Sequence, residues 1–364
     1  MYSLAQAGYT QSAVLDALKN NRTIGYGYEL LDKNDNTIGE IQASDARIYH
    51  NSEASIQRSM QLTTANDSEI DYATDRIRPY MVLKIGTDRL TYPLGVFLMS
   101  SPTRKEQSGS IIRQIEGYDL TQILSDDKFD SRYTIAAGTS YTAAVQNIVQ
   151  SAGITKINIE HSELETQTIL EFPLGTSKLE ACNELLNSIN YVPIYADSHG
   201  YIRTAPYKLP EGRSIDAFYA TDKESIICEG AEEELDIFGA PNKIVRYLEN
   251  VERELLISSI TNDNPNSKLS TISRGRVITD IAAVYDIANQ TSLDAYVQRI
   301  MAEKKVYQKL VFETLNMPNH ESNDCLYVSL DSLTASGKFI ETAWEMDLKI
   351  GGKMRHVCRK AVSI

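Results

Sequence analysis

Polar and apolar residues alternate in short runs over residues 23–118 and again from about residue 215, while the stretch between them repeats closer to every 3.6 residues. From Thr23 the runs IGYGYELL, IQASDARIYH, ASIQRSMQLTTA and YMVLKIG are separated by turn residues such as DKNDNTIG. This pattern predicts about five to seven strands in a small barrel or sandwich. In TSYTAAVQNIVQSA, residues 139–152, Tyr141, Ala144, Val145, Ile148, Val149 and Ala152 form one helical stripe behind a Thr/Ser cap. In residues 176–190 Leu179, Cys182, Leu185, Leu186 and Ile189 form another, and residues 191–207 alternate about the turn Asp197-Ser198-His199-Gly200 as a hairpin. Strands then return as KIVRYLEN, LLISSIT, KLVFETL, CLYVSL and FIETAWEMDL. The last places Ile340, Thr342, Trp344, Met346 and Leu348 on one side, and Glu341, Glu345 and Asp347 on a side predicted to meet water or a lumen. Two further helices are predicted, over 10–20 (Val14, Leu15, Leu18) and 291–305 (Leu293, Tyr296, Val297, Ile300, Met301). The polar stretch 261–276 is too long for a simple hairpin and reads as a functional loop or assembly contact.

The fold class is therefore α+β and mainly β: two similar small β-barrel or sandwich domains flanking an inserted helix-containing module. The expected divisions are 1–20 (helical arm), 21–118 (first β-barrel domain), 119–210 (inserted α+β module) and 211–364 (second β-barrel domain, with helix 291–305). The likeness of the two β-domains rests on spacing. Gly95-Val96-Phe97-Leu98 and Gly337-Lys338-Phe339-Ile340 share a Gly-x-Phe-aliphatic step, and Gly109 and Gly351 each follow 14 residues later. Arg113 and Arg355 follow those glycines by four, so a single offset of 242 residues relates the two stretches. Glycines at a strand start and a hairpin tip mark backbone positions that other residues fill only with strain.

Composition narrows the function. The 364 residues carry a net charge of −13, which argues against a protein that grips nucleic acid but does not exclude one that lets DNA pass, since an acidic wall repels a polyanion. Tyrosine dominates the aromatics, 21 against 7 Phe and 1 Trp, favouring strands and assembly seams where a ring is half-buried and its hydroxyl wet. The four cysteines (Cys182, Cys228, Cys325, Cys358) have no CxxC spacing and read as free thiols. The N-terminal stretch has no signal-peptide pattern and no segment suits a membrane span, so export, if any, follows another route.

Motifs that would carry chemistry are weak. None of His50, His161, His199, His320 and His356 lies in HExxH, and His356 with Cys358 supplies only two of the four ligands a closed zinc site needs. Asp32, Asn34 and Asn36 begin like a Ca²⁺ loop, but Thr37 and Ala43 stand where Gly and Glu are required, leaving a hairpin turn. Gly25-Tyr26-Gly27 lacks the remainder of a phosphate loop. Glu160 with Glu163, or Asp126, Asp127 and Asp130, would serve as a glycosidase acid and base only if brought into one cleft. The reading is of no catalytic residue, no cofactor and no metal.

The segments LGVFLMSSPTR, SKLEACNELLNSINYVPIYADSHGYIRTAPY and TNDNPNSKLSTISRGR, in this order, resemble the baseplate hub proteins of bacteriophage tails, over nearly the whole chain from about residue 20. The resemblance implies a homotrimer with two tube-like β-barrels per chain, closing the distal end of the tail tube. Implied partners are a tail tube or distal tail protein, a tape measure protein and a tip, spike or fibre protein. Genome DNA would pass without specific binding, and this chain would not insert into a membrane. The location would be the virion's tail baseplate or tip, after synthesis in the host cytoplasm. Longer hubs continue into a needle, fibre or peptidoglycan-cleaving domain, so a separate tip protein or a longer parent chain is expected here. Two alternatives stay open: a tail-associated cell-wall hydrolase and a receptor-binding β-sandwich.

Overall fold

A computed structural model describes the chain apart from residues 21, 66–69, 101, 108, 224, 236–237, 249–253, 285, 305–307 and 361–364, and the side chains of 107 and 211. The fold is α+β and mainly β. The first β-unit comprises β1 (Thr23–Leu31), β2 (Thr37–Glu40), β3 (Ala43–Asn51), β4 (Arg58–Ala65), β5 (Arg76–Ile85), β6 (Asp88–Pro93), β7 (Phe97–Met99), β8 (Thr103–Gln107) and β9 (Ser110–Asp119). These are more strands than the alternation predicts, partly because β7 and β8 are one interrupted line along β9. Asp32 closes the β1–β2 turn by accepting the backbone N–H of Asn34 and Asn36 at 2.8 and 2.9 Å.

Next come the helices Thr121–Asp126, Tyr141–Ser151 and Lys178–Ser188, with the short strands β10 (Tyr133–Ile135), β11 (Ile157–Ile159), β12 (Leu170–Phe172), β13 (Tyr195–Ala196) and β14 (Ile202–Thr204). Ser140 and Ser177 cap the two longer helices, as the stripes predict. Their apolar faces meet in one core with Leu120, Leu124 and Ile202. The second β-unit opens with β15 (Ala217–Ala220) and β16 (Glu232–Leu235). A three-stranded sheet then intervenes, β17 (Lys243–Leu248), β18 (Ile257–Thr261) and β19 (Thr279–Val284), against which helix Gln290–Lys304 packs Val297, Ile300 and Met301 around Ile244. The unit ends with β20 (Gln308–Leu315), β21 (Cys325–Leu330), β22 (Ala335–Asp347) and β23 (Lys353–Lys360).

Both units belong to one 15-stranded sheet whose main path runs β16-β20-β23-β22-β3-β4-β9-β7-β5-β1-β2. The order β3-β4-β9-β7-β5 in the first unit matches β16-β20-β23-β22-β21 in the second, and every neighbouring pair in both series is antiparallel. They diverge at the next strand, since β1 runs antiparallel to β5 and β15 parallel to β21. The paired glycines share their backbone as well as their spacing. Gly95 and Gly337 have φ of 144° and 141°, and Gly109 and Gly351 have 78° and 75°, values that suit glycine. The paired arginines have no common role: Arg113 stacks over the Tyr72 ring, and Arg355 is exposed.

β22 departs from the predicted alternation. Its register shifts between Glu341 and Ala343, a bulge that reverses the phase of the strand. Phe339 and Glu341 therefore point inward before the bulge, and Trp344 and Met346 after it, while Ile340 and Thr342 face away from the core. Glu341, expected on the wet face, is fully buried. One apolar core runs through both units, joining Ile48, Met60 and Phe97 to Phe312, Phe339 and Trp344. Helix Gln11–Lys19, capped by Thr10, lays Val14 and Leu18 into that core.

Candidate functional site

The place where the repeated units meet is the most elaborated part of the molecule. β22 pairs antiparallel with β3, from Ala343 opposite Asn51 to Asp347 opposite Arg47. Arg47 spans the seam, reaching Glu345 at 3.0 Å and Asp347 at 2.8 Å. These ion pairs are partly exposed and fix register more than they add stability. Deeper in, Arg58 of β4 is 1% exposed and bonds Glu321 at 2.6 Å and the Leu94 carbonyl at 3.2 Å. Its guanidinium lies 5.3 Å from the Trp344 ring centre. The other Glu321 oxygen accepts the Ser198 N–H at 3.0 Å, so one buried pair ties the first unit, the second unit and the inserted module together. Burial alone would raise the Glu321 pKa, but Arg58 and the Ser198 donor outweigh it and hold the carboxyl below its ordinary value.

Beside this pair the bulge in β22 aims Glu341 at two histidines. His320 Nδ1 and His356 Nδ1 each lie 2.5 Å from a different Glu341 oxygen. His320 Nε2 lies 2.7 Å from the Tyr219 hydroxyl, and His356 Nε2 lies 2.8 Å from the Thr314 hydroxyl. The three donors fall within 4.8 Å of one another, close enough to hold a metal ion. Every ring nitrogen and both carboxylate oxygens nevertheless have a hydrogen-bond partner, so the cluster is complete as a hydrogen-bonded network. Burial opposes ionisation of Glu341, yet His320 and His356 overcome it and hold its pKa at about 2. Burial lowers the pKa of His356. Periodicity paired His356 with Cys358 and missed this network. The Cys358 thiol is buried, with its pKa pushed well up by desolvation, and the carboxylate that His356 meets comes from the residue placed on the opposite face.

The remaining candidates disperse. His50 stacks on Trp344 at 5.4 Å; both its ring nitrogens are buried without a hydrogen-bond partner among the described residues, and burial lowers its pKa to about 3. His161 bonds exposed Glu163 at 3.1 Å, and His199 touches its neighbour Ser198 at 3.2 Å. Glu160 is exposed. Asp127 pairs with Lys178 at 2.5 Å, while Asp126 and Asp130 are exposed. A cleft of about 600 Å³ beside the inserted module contains two carboxylates, Glu53 and Glu303, each paired with an arginine, Arg359 and Arg299. Neither of the proposed acid–base sets converges there. Among the described residues, no helix is long and apolar enough to cross a membrane.

Comparison with known proteins places the fold. No protein-family model and no curated protein matches the sequence. Solved structures do match, along nearly the whole chain. A tail protein from Neisseria meningitidis MC58 superposes with a TM-score of 0.68 at 12% identity, covering 92% of this chain and 97% of that one. The 43 kDa tail protein of prophage MuSo2 from Shewanella oneidensis gives 0.64 at 11% identity, covering 92% and 98%. Prophage tail protein gp18 from Listeria monocytogenes EGD-e gives 0.57 at 12% identity, covering 93% and 95%. The chain has the fold of phage tail proteins.

Proposed function

We propose that this chain is a structural hub subunit at the distal end of a phage tail, assembled as a homotrimer that joins a sixfold tube to a threefold tip. The observation that carries the reading is the repeated five-strand order joined edge to edge within one sheet. Three chains with two alike units each present six similar units around one axis, which satisfies both symmetries. A fold shared with tail proteins over more than nine-tenths of the chain supports the same reading.

Its neighbours in this role are a tube or distal tail protein, a tape measure protein and a tip, spike or fibre protein. DNA passes through the bore unbound. The net charge of −13 per chain favours this, since three copies carry −39 and a polyanion does not adhere to an acidic wall. The acidic wall is not the face of β22: Glu341 is buried, and Glu345 and Asp347 are matched by Arg47. The role needs no catalysis. Native mass spectrometry and electron microscopy of the full chain test the proposal, with three copies and a ring of duplex-wide bore expected. A stable monomer that gains no copies when its tail neighbours are added refutes it.

A further inference from the structure

The intrachain seam has a counterpart with both halves left open. Matching Gly109 to Gly351 sets Thr103–Lys105 of β8 on Glu345–Asp347, the end of β22, so Lys105 falls where Asp347 stands. The match of strand orders superposes β16 on β3. In the second unit the early part of β22 pairs with β21 and its late part with β3. In the first unit the equivalent early part, β7, pairs with β5, but the equivalent late part, β8, pairs only with β9 among the described residues. β16 likewise pairs only with β20, and all four of its residues are exposed. Each chain therefore carries one occupied copy of the seam and one vacant half at each end of the repeat.

The charges at the vacant halves are complementary. β8 is TRKEQ, with Arg104 and Lys105 exposed, and β16 is EEEL, with Glu232, Glu233 and Glu234 exposed, although Glu233 also accepts a hydrogen bond from Gln308 and Glu234 pairs with Lys309 of the adjacent β20. Within the chain the signs are the other way round, the β22 side contributing Glu345 and Asp347 and the β3 side Arg47. The inversion discriminates between partners. β22 against β16 would set acid on acid, and β8 against β3 would set base on base, so only the two correct seams are free of like charges.

We infer that β8 of one copy adds to β16 of the next as an antiparallel strand pair, with Arg104 and Lys105 facing Glu232–Glu234, and that three such seams close the ring. The inference rests on the trimeric reading above and names the surface that makes it. It also gives two exposed strand edges a covering partner. The contact is heterologous, since β8 meets β16 and never β8, so it excludes a twofold dimer, and closure into a ring follows from the trimeric reading.

Charge reversal in the full chain tests the seam. R104E/K105E and E232K/E233K each place like charges across every interchain seam and are expected to weaken assembly by on the order of tenfold or more, read by native mass spectrometry and sedimentation. The quadruple variant restores opposite charges everywhere and is expected to form trimers again. Mixing the two single-edge variants is not expected to restore trimers, because two kinds of subunit cannot alternate around a ring of three. All these positions are exposed, so the far-ultraviolet circular dichroism of each variant should match wild type, while the unfolding midpoint falls with the loss of trimers and, in E232K/E233K, with the loss of the Gln308–Glu233 hydrogen bond. Trimers that persist in both reversed variants overturn the seam and leave the trimeric reading standing. Loss of trimers that the quadruple variant does not recover also overturns it. A wild-type chain that is monomeric even with its tail neighbours overturns the trimeric reading, and the seam with it.

Discussion

Replacing Glu341 with Gln isolates what the bulge in β22 achieves. The carboxylate is fully buried and accepts a hydrogen bond from Nδ1 of both His320 and His356 at 2.5 Å. Glutamine keeps the shape but has one acceptor oxygen, so its amide N–H₂ meets a second ring N–H, donor against donor. A lost hydrogen bond to a charged group costs about 1.5–3 kcal/mol, and the stranded donor adds about 1–3 kcal/mol. Proton linkage gives a comparable scale: a carboxyl held at about 2 against 4.5 corresponds to about 3 kcal/mol. The sign follows from the depressed pKa. The contribution is complete above pH 4.5 and is lost as pH falls toward about 2. Urea unfolding of wild type and Glu341→Gln at equal concentration and pH 7 should therefore differ by about 3 kcal/mol. The gap should narrow as pH falls below 4.5. Replacing the whole cluster, Glu341→Leu with His320→Phe, His356→Phe and Tyr219→Phe, should recover much of the loss, because the Tyr219 hydroxyl goes with its His320 partner, Thr314 keeps the Leu315 carbonyl, and no buried charge is then stranded. A loss below about 1 kcal/mol at pH 7, or a whole-cluster variant no better than the single one, would refute the view of the cluster as a closed network.

His50 offers the opposite test, since its buried ring has no hydrogen-bond partner for either nitrogen among the described residues and stacks on Trp344. His50→Phe should leave stability at pH 7 unchanged or slightly raised. With a folded pKa of about 3 against 6.5, wild type should lose about 2 kcal/mol on this account between pH 6.5 and 5, and the variant should not; an unchanged acid slope would count against the assignment. Arg58→Ala strands Glu321 in the interior and should cost about 3–5 kcal/mol, read as a lower denaturation midpoint, with faster amide exchange on both sides of the seam. Gly95→Ala and Gly337→Ala both strain a positive φ. A Cβ at Gly95 would meet the Phe97 ring at 2.7 Å, whereas at Gly337 it meets only the end of Lys360 at 3.3 Å, so the first should be the costlier by about 1 kcal/mol or more in the same unfolding assay.

Local periodicity was enough to place the helices around Tyr141–Ser151 and Lys178–Ser188, because each needs only an apolar stripe and a serine cap within its own few turns. Glycine spacing exposed the repeat for a similar reason. A residue that must adopt φ near 140° or 75° advertises itself in the chain, and Gly95, Gly337, Gly109 and Gly351 do so in matched pairs. Composition and a family resemblance supplied the tail-protein fold. The seam could not be read in this way. Whether β22 joins β3, whether Arg58 meets Glu321 from 263 residues away, and whether His356 turns toward Glu341 depend on which strands become neighbours. Glu341 shows the limit most directly. Strict alternation exposes it, and a single-residue bulge, visible only once β22 and β23 are paired, carries it into the core. Sequence determines what a segment prefers locally, whereas a strand's phase and a buried charge's partner are settled by the pairing of segments far apart in the chain.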